Sequence, residues 1–452
     1  MRDRPRVLVI AEAANPEWVS VPLVGWSLAN ALRAVADVHV VTQIRNRDAL
    51  LRAGWSETQD FTAIDSEAVA RGLYRAGKLL RGGTDAGWTT QQALSSLGYP
   101  WFERLVWRKF GVGIERGDFD VVHRVTPLSP TARSPIAPLV ARAGVPFVLG
   151  PLNGGVPWPR GFDAERRRER EWLSYVRGAY RALPGRRASL RATAAILVGS
   201  RHTLSELPDA VRDRALWLPE NAVDPARIPP PGPQRGGGVP LRLCFIGRLV
   251  PYKGPDMALE AAAPLLRDGR AVLDIVGDGP LRADLQARTA ALGVGSAVTF
   301  HGQVPHRDAL GVLSRAEALV FPSIREFGGG VVLEAMALGV VPVVVDYGGP
   351  GELVTPETGF ALPLAERPAL ITTLRATLER LAAAPAALAP LSRAASVLVR
   401  DRFTWPAKAQ QVACVYDWVL GRCREKPDFA APTVTARPPA VAPEAVQAQH
   451  PP

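Results

Sequence analysis

Short apolar runs alternate with amphipathic stretches over most of this chain. Residues 6–11 predict a strand buried on both faces, residues 26–36 a helix and residues 37–42 a second strand. After this βαβ opening, three more apolar runs predict strands, at 119–123, 145–149 and 195–198. Continuous apolar runs of this length are typical of parallel strands that are covered on both faces. The first half of the chain therefore predicts a parallel α/β sheet.

The same alternation is clearer in the second half. Strands are expected at 241–246, 271–276, 298–300, 318–321 and 341–345, and helices at 256–266, 281–292, 307–313 and 330–338. Strands that alternate with helices of about ten residues indicate a doubly wound parallel sheet. Such a sheet binds ligands beyond the carboxyl ends of its strands. We therefore expect two such Rossmann-like domains in tandem.

Three segments interrupt the alternation. Residues 46–117 mix polar stretches, glycine clusters and tryptophans, and we interpret them as an elaboration on the first domain. Residues 225–240 contain six prolines and four glycines, which predicts an interdomain linker. Residues 426–452 are rich in Pro and Ala and are expected to be a disordered tail. The predicted domains are 1–224 and 241–425, and the last helix of the second is expected to cross back to the first.

Composition supports a folded chain and narrows its class. Hydrophobic residues make up 47% and charged residues 21% of the 452 residues, which is ordinary globular usage. The chain has three cysteines without metal-site spacing, so we expect neither a disulfide framework nor a zinc cluster. No run has the length of a spanning helix, and the N-terminus has no signal-peptide pattern. We expect a cytoplasmic protein.

The chain carries a formal net charge of +11, and more than half of that excess lies in one stretch. Between residues 160 and 191 there are ten arginines and four acidic residues, with Trp158, Trp172, Tyr175 and Tyr180 in or beside the stretch. Arginines interleaved with aromatics suit an anionic membrane surface, through 158–191, or a pocket for a phosphorylated lipid-linked acceptor. The alternative is a solvated helix face. Nucleic acid is not expected as a partner, because no recognised binding module accompanies the charge.

Glycines and charges follow the strands of the second domain. Gly328, Gly329 and Gly330 stand just before a predicted helix, where close backbone approach and free N–H groups suit a phosphate. Arg248 and Lys253, in the loop after the domain's first strand, supply a guanidinium and an ammonium for the same diphosphate. We expect their side chains to face the cleft.

Two glutamates flank the triple glycine. Glu326 precedes it and Glu334 lies one helical turn beyond it, eight residues later. A carboxylate accepts two hydrogen bonds from a vicinal diol, so one glutamate can hold a ribose and the other a sugar. The set predicts a site for a nucleotide-diphospho-sugar.

Several motifs in this half occur together and in order. They are Gly247-Arg-Leu249 with Lys253-Gly254, Val276-Gly-Asp-Gly-Pro-Leu281, Phe300-His-Gly302, and a Glu-x7-Glu pattern from Glu326 to Glu334 inside the segment 321–339. In these motifs the chain resembles the GT4 glycosyltransferases, a group of retaining enzymes that is also called glycosyl transferases group 1. The resemblance implies the GT-B fold, in which two Rossmann-like domains face each other across a cleft. The resemblance is dense over 241–362 and thinner over 1–222.

The resemblance implies a donor site and a reaction. Glu326 would contact the donor sugar, Glu334 the ribose, and Arg248 with Lys253 the diphosphate, while Gly247, Gly277 and Phe327 join the donor-binding set. Sugar transfer would retain the anomeric configuration and need no metal or other cofactor. The acceptor would be a sugar, a lipid-linked molecule or a small molecule, in the synthesis of a bacterial polysaccharide, glycolipid or glycosylated metabolite.

The resemblance is less complete in the first domain. His123 stands where the family has a histidine near the transferred sugar, and residues 146–155 resemble a loop on the acceptor side. The family's double glycine after the first strand is absent, so Gly25 is its remnant. Gly277-Asp-Gly279 is also compatible with a plain tight turn.

Three alternatives remain open at this stage. A sugar phosphorylase would share the fold, and a non-catalytic scaffold would bind glycans without turnover. Asp118-Phe-Asp120 matches the metal-binding Asp-x-Asp of the other large glycosyltransferase fold, but we prefer a turn and a strand start for these residues. Association with the inner face of the membrane is a hypothesis that depends on the basic stretch.

Overall fold

Two parallel sheets dominate the computed structural model, which describes residues 4–67, 88–154, 156–159, 161–168, 185–229 and 240–429. The strands of the first sheet are β1 Arg6–Ala11, β2 Asp37–Gln43, β3 Phe61–Ile64, β4 Val121–Thr126, β5 Phe147–Leu152, β6 Ala195–Val198 and β7 Ala215–Trp217. Those of the second are β8 Leu241–Ile246, β9 Ala271–Val276, β10 Val298–Gly302, β11 Ala318–Phe321, β12 Val341–Asp346 and β13 Phe360–Pro363.

Helices connect the strands of both sheets. In the first half they are α1 Val21–Leu32, α2 Arg47–Arg52, α3 Trp88–Glu115, α4 Ala137–Arg142, α5 Asp163–Arg168, α6 Arg186–Arg191, α7 Arg201–Ser205 and α8 Asp209–Arg212. In the second half they are α9 Pro255–Arg267, α10 Arg282–Ala291, α11 His306–Leu313, α12 Gly330–Ala337, α13 Gly349–Leu353, α14 Arg367–Ala383, α15 Leu388–Arg402 and α16 Trp405–Val419.

The strand order places a crevice in the middle of each sheet. The first sheet has the order β3-β2-β1-β4-β5-β6-β7 and the second β10-β9-β8-β11-β12-β13. The chain reverses its direction of winding between β1 and β4, and again between β8 and β11. In doubly wound sheets, ligands bind outside the carboxyl ends of the strands at this switch point. The loops after β8 and β11 are therefore where the fold itself predicts a ligand.

Alternate side chains of β1 pack into two separate cores. Val7 and Val9 contribute to one apolar cluster, and Leu8 and Ile10 to the cluster on the opposite face of the sheet. Both faces are covered, which explains why these strands are continuous apolar runs rather than alternating ones. A third cluster fills the second half of the molecule.

The last helix returns to the first sheet. Ala409, Val412, Val415 and Tyr416 of α16 are buried in the cluster that contains Val7 and Val9, although the helix follows the second sheet in sequence. Thr404 accepts a hydrogen bond from the backbone N–H of Ala407 and so caps this helix. The chain thus closes on its own first half.

The prediction of a doubly wound α/β fold with two sheets is confirmed, and five strands have the predicted bounds: β1, β6, β8, β9 and β11. The interpretation of 46–117 as mere elaboration is wrong for β3, which pairs in parallel with β2 as a regular member of the sheet. Helix α1 begins at Val21 rather than residue 26, with Pro22 in its first turn, where the missing N–H costs nothing.

Some predictions fall outside the described residues. These are most of the linker (230–239), the tail from 430 to 452 and the part of the basic stretch from 169 to 184. Within the described part, no single helix is long and apolar enough to span a membrane. Arg367–Ala383 and Pro385–Arg402 meet the criteria only as a pair, which is bent by 99°.

Candidate active site

An ion pair lies at the switch point of the second sheet. Lys253 Nζ, after β8, is 2.6 Å from Glu326 Oε2, after β11, and the two side chains are 18% and 20% exposed. Burial lowers the pKa of Lys253, but the neighbouring carboxylate of Glu326 outweighs it and the pKa is raised. The two residues that sequence analysis assigned to one site are thus in contact, and Lys253 is charged.

Backbone contacts bring these two loops together. Tyr252 O accepts a hydrogen bond from Ile324 N at 2.9 Å, and another from Ser323 Oγ at 3.2 Å. From the other side, Gly349 N donates to Glu326 O at 3.3 Å. β8, β11 and β12 are parallel neighbours, so their carboxyl ends lie at one edge of the sheet. The loops that follow these strands are therefore close enough to form these backbone hydrogen bonds. The loop geometry fixes Glu326 before any ligand arrives.

Gly329, the second of the three glycines in the turn, has a backbone conformation that favours glycine. Gly329 has φ of 59° and is the N-cap residue of α12, so a non-glycine residue would be strained there. Gly330 is the first residue of the helix, whose first N–H groups have no intrahelical acceptor. The start of α12 is therefore chemically suited to an anion.

Loops after β8 and β9 also pack closely. Gly277 has φ of 128°, and a Cβ at this position would overlap the carbonyl oxygen of Gly247. Gly247 in turn has φ of 156° and would bring a Cβ within 3.2 Å of Lys253 Cδ. Arg248 is exposed on the same loop, and its charge opposes the rise in the pKa of Lys253. These glycines shape the loop that carries the two cations.

A cavity of about 440 Å³ separates this turn from the first half of the molecule. From the second half it is lined by Glu326, Phe327 and Gly328. The first half contributes the residues around the carboxyl ends of its own strands: Glu12, Ala13, Ser20, Val21, Pro22, Val24, Arg45, Tyr99, Pro127, Leu128, Ser129, Asn153, Gly154, Glu220 and Asn221. The two switch points thus face one another across a single space.

Glu334 does not meet Glu326 in this cavity. It lies in α12, and its Oε1 is 2.8 Å from Nε2 of His306 at the start of α11. The hydrogen bond from His306 to this carboxylate raises the pKa of the histidine. Glu334 is not among the residues that line the cavity, and its carboxylate contacts His306 instead.

His123 is a buried structural residue, so the predicted catalytic role is not supported. The side chain is 0% exposed. Its Nε2 donates to Gly150 O at 2.8 Å and its Nδ1 accepts from Tyr416 Oη at 2.7 Å. Burial lowers its pKa to about 4. A neutral imidazole with both nitrogens engaged has no atom left for a substrate, and it ties α16 to the first sheet instead.

Gly25 also differs from its predicted role. It lies inside α1 and is buried, and a Cβ there would overlap Ala13 O and come within 3.0 Å of Thr126 Cγ2. Its φ is outside the left-handed region, so close packing alone requires a glycine. A phosphate contact through Gly25 is not supported. Ser20, with φ of 65°, precedes the helix and lines the cavity.

Sequence analysis missed a buried polar group beside the turn. Asn153 Nδ2 donates to Glu220 Oε2 at 2.6 Å and to Phe327 O at 3.0 Å. Glu220 is 6% exposed, and burial raises its pKa to about 7. Lys408 of α16 is 2% exposed, and burial lowers its pKa to about 7. The position of Glu220 after β7 could have indicated a site residue. Because β7 has only three residues, the sequence did not predict it as a strand.

The partly buried Trp158 packs against the core of the second half of the molecule. Its ring packs edge-on against Tyr252 with centroids 6.3 Å apart, and the Arg325 guanidinium lies 5.1 Å from its centroid. Phe162 is buried in the core of the second half. Trp172, Tyr175 and Tyr180 lie outside the described residues. Membrane association of the basic stretch stays a prediction.

Asp118 and Asp120 lie at the amino end of β4, away from the cavity. Asp120 accepts hydrogen bonds from Arg6 N and Arg6 Nη2 at 2.7 and 2.8 Å, and Asp118 pairs with Arg116 at 3.1 Å. Both carboxylates thus have structural partners. The preference for a turn and strand start over a metal-binding Asp-x-Asp agrees with this placement.

The sequence is similar to those of known glycosyltransferases. Residues 238–379 match the family model described as glycosyl transferases group 1. The 2-deoxystreptamine glucosyltransferase of Streptomyces kanamyceticus is 32% identical over 234 residues, which cover 51% of this chain and 58% of that protein. Glycogen synthase of Mycobacterium tuberculosis is 34% identical over 199 residues, covering 43% and 47%. The chain spans about half the length of the curated relatives it matches.

Solved structures extend the likeness to the whole fold. Sucrose-phosphate synthase from Thermosynechococcus elongatus has a TM-score of 0.55 at 18% identity, covering 93% of this chain and all of that one (100%). Anabaena HepE, solved with UDP and glucose, has a TM-score of 0.55 at 16% identity, covering 91% and 98%. Residues 238–379 thus belong to the glycosyl transferases group 1, and the chain as a whole has the GT-B fold that its motifs implied.

Proposed function

We propose that this chain is a retaining, metal-independent glycosyltransferase, which moves a sugar from a nucleotide-diphospho-sugar to an acceptor hydroxyl. The observation that carries the proposal is the Lys253–Glu326 pair at the α12 start, opposite the switch point of the first sheet. Glu326 and Gly328 line the cavity, Lys253 contacts Glu326, and α12 begins two residues after Gly328.

Each group has a task in this reaction. The ammonium of Lys253 and the guanidinium of Arg248 neutralise the diphosphate as the bond to the sugar breaks. Glu326 accepts hydrogen bonds from the sugar hydroxyls, and Glu334 from the ribose. The acceptor hydroxyl attacks from the face that the diphosphate leaves, and its proton passes to a diphosphate oxygen. Catalysis then depends on position and charge, and no basic side chain is required.

The acceptor is proposed to be a small polyhydroxylated molecule. Two matched relatives carry such acceptors in their names, 2-deoxystreptamine glucosyltransferase and D-inositol 3-phosphate glycosyltransferase. The apolar side chains of Val21, Val24 and Leu128 line the cavity together with the carboxyl group of Glu12, a combination that suits a ring with hydroxyl groups. Transfer to a polysaccharide or lipid-linked acceptor is the competing outcome of the assay.

Thermal-shift screening against UDP-, GDP- and ADP-glucose tests the donor site first. The nucleotide sugar that stabilises the protein most is then incubated with 2-deoxystreptamine, inositol 3-phosphate and an oligosaccharide primer, and nucleoside diphosphate release is measured. We expect release that depends on the acceptor and not on inorganic phosphate. Phosphate-dependent formation of sugar 1-phosphate would identify a phosphorylase, and no nucleotide-sugar binding would indicate a scaffold.

Product analysis tests the mechanism. The anomeric coupling constant of the product sugar distinguishes retention from inversion, and retention is expected. Activity should survive EDTA without added manganese. Glu326→Gln should lower the rate of transfer, because it removes the carboxylate proposed to bind the sugar hydroxyls. Glu357→Gln is the matched control, because Glu357 is an exposed glutamate outside the cavity lining.

A further inference from the structure

Two glycines from opposite halves of the molecule make room for one carboxyl group. A Cβ at Gly199, after β6, would come within 2.5 Å of Glu220 Oε2. A Cβ at Gly328, in the turn after β11, would overlap Glu220 Oε1. Neither glycine has a φ in the left-handed region, so the backbone conformation does not demand glycine at either place. What demands glycine is space, for the carboxyl group of Glu220 at both positions, and also for Asn153 Cβ at Gly199 and for Asn221 Nδ2 at Gly328.

Asn153 connects this carboxyl group to the donor turn. Its single side-chain NH2 group donates to Glu220 Oε2 at 2.6 Å and to Phe327 O at 3.0 Å. Its Oδ1 accepts from Gly154 N at 2.8 Å and from Ser200 Oγ at 3.3 Å. Every polar atom of the Asn153 side chain is thus used, and its orientation is fixed. Phe327 directly follows Glu326, so the bond to Phe327 O reaches the proposed sugar-binding carboxylate through one residue.

We propose that Glu220 is a positioning residue of the donor site, which holds the Phe327–Gly328 turn against the first sheet through Asn153. The inference rests on the proposed function, because that function gives the turn its task. Glu220 touches neither sugar nor diphosphate in this assignment. It acts through Asn153 and through its contact with Gly328.

Charge decides which form of Glu220 performs this task. The groups that face it are Asn153 from the first sheet, Lys408 from α16 and Glu326 from the second half. Burial is the main cause of its raised pKa, Asn153 and Lys408 oppose the rise, and Glu326 adds to it. A diphosphate at the α12 start brings further negative charge to the same side. The bound donor therefore favours the neutral acid, and donor binding takes up a proton near neutral pH.

Donor affinity measured as a function of pH tests the proposal. The probe is whichever of UDP-, GDP- and ADP-glucose gives the largest thermal shift, because a diphosphate diester does not itself titrate near neutrality. In the wild type we expect Kd to rise about sixfold between about pH 6.5 and 8.5, which is most of the tenfold total that a shift of about one unit in the pKa of Glu220 on binding produces. Glu220→Gln keeps the shape but stays neutral, and its Kd should change less than about twofold.

Two further variants separate Glu220 from its neighbours. Glu17→Gln removes an exposed carboxylate that pairs with Arg52 outside the cavity lining, and it should keep the wild-type slope. Lys408→Met removes a group whose charged form lowers the pKa of Glu220, so the rise in Kd should move to higher pH. A slope that persists in Glu220→Gln, or that disappears only in Lys408→Met, overturns the assignment.

A second measurement uses only the wild-type protein, so it does not depend on whether a variant folds. Calorimetric titration of the wild type near pH 7, in two buffers of different ionisation enthalpy, should show uptake of a fraction of a proton per donor bound. Equal heats in the two buffers would refute the linkage even though the donor binds. If none of the three nucleotide sugars binds at any pH, the proposed function fails and the inference fails with it.

Discussion

Replacing Lys253 by methionine removes one charge from the proposed donor site and keeps most of the side-chain volume. In the wild type the ammonium is 2.6 Å from Glu326 Oε2, and its side chain is 18% exposed. At an effective dielectric constant of about 20, a cation about 4 Å from a phosphate oxygen contributes about 4 kcal/mol. Part of this energy already binds the ground state, so we expect kcat/KM to fall about 10²- to 10³-fold.

Initial rates of nucleoside diphosphate release measure this loss, and thermal unfolding checks the fold. Lys426→Met is the matched control, because Lys426 is exposed and donates to Asp213 O outside the cavity lining. The double variant Lys253→Met with Glu326→Gln should lose less than the two single losses combined, because the residues are in contact. A folded Lys253→Met protein with less than a tenfold loss would refute the site assignment.

Three further predictions follow from the packing. His123→Phe leaves Tyr416 Oη and Gly150 O without their hydrogen-bond partner, so the free energy of unfolding in urea should fall by about 1–3 kcal/mol. The folded variant should keep the wild-type kcat. A 100-fold loss of kcat at unchanged stability would restore the catalytic assignment. Gly25→Ala should cost about 1–3 kcal/mol in the same assay because the added methyl overlaps Ala13 O, and a neutral result would contradict the tight packing of α1. Trp158→Ala should lower the unfolding midpoint and make the 156–168 segment more sensitive to limited proteolysis, since the ring packs against Tyr252 and Arg325; an unchanged digestion pattern would argue against that bridge.

Central strands were predictable because their physics is local. β8, β9 and β11 are mostly apolar runs, interrupted only by Arg242 and Asp274, and short runs of this composition are typical of strands that are covered on both faces. β13 was missed because Phe360–Pro363 is short and ends in proline, which weakens the signal of an edge strand. β7 was missed because three residues carry no periodicity.

The contact between Lys253 and Glu326 was also predictable, for a topological reason. Each residue follows a strand, and the carboxyl ends of neighbouring parallel strands lie at one edge of the sheet. The topology therefore brings Lys253 and Glu326 together although they are 73 residues apart in the sequence. The role of His123 could not be read in this way, because its Nδ1 partner, Tyr416, is 293 residues away on a helix that returns from the second half. A histidine at a strand end looks the same in sequence whether its ring nitrogens face a substrate or a neighbouring helix.

Glu220 shows why the remaining part of the site escapes sequence reasoning. Its amide partner, Asn153, follows β5, and the glycines that admit its carboxyl group follow β6 and β11. Asn153 and Gly199 lie at the same edge of the first sheet as Glu220, so the strand order makes them neighbours. Gly328 is on the other sheet, and its position relative to Glu220 depends on how the two sheets pack, which local patterns do not encode. A glycine that serves a contact across two sheets has the same sequence signal as a glycine that serves a turn, and only the observed φ and the neighbouring carboxylate distinguish them.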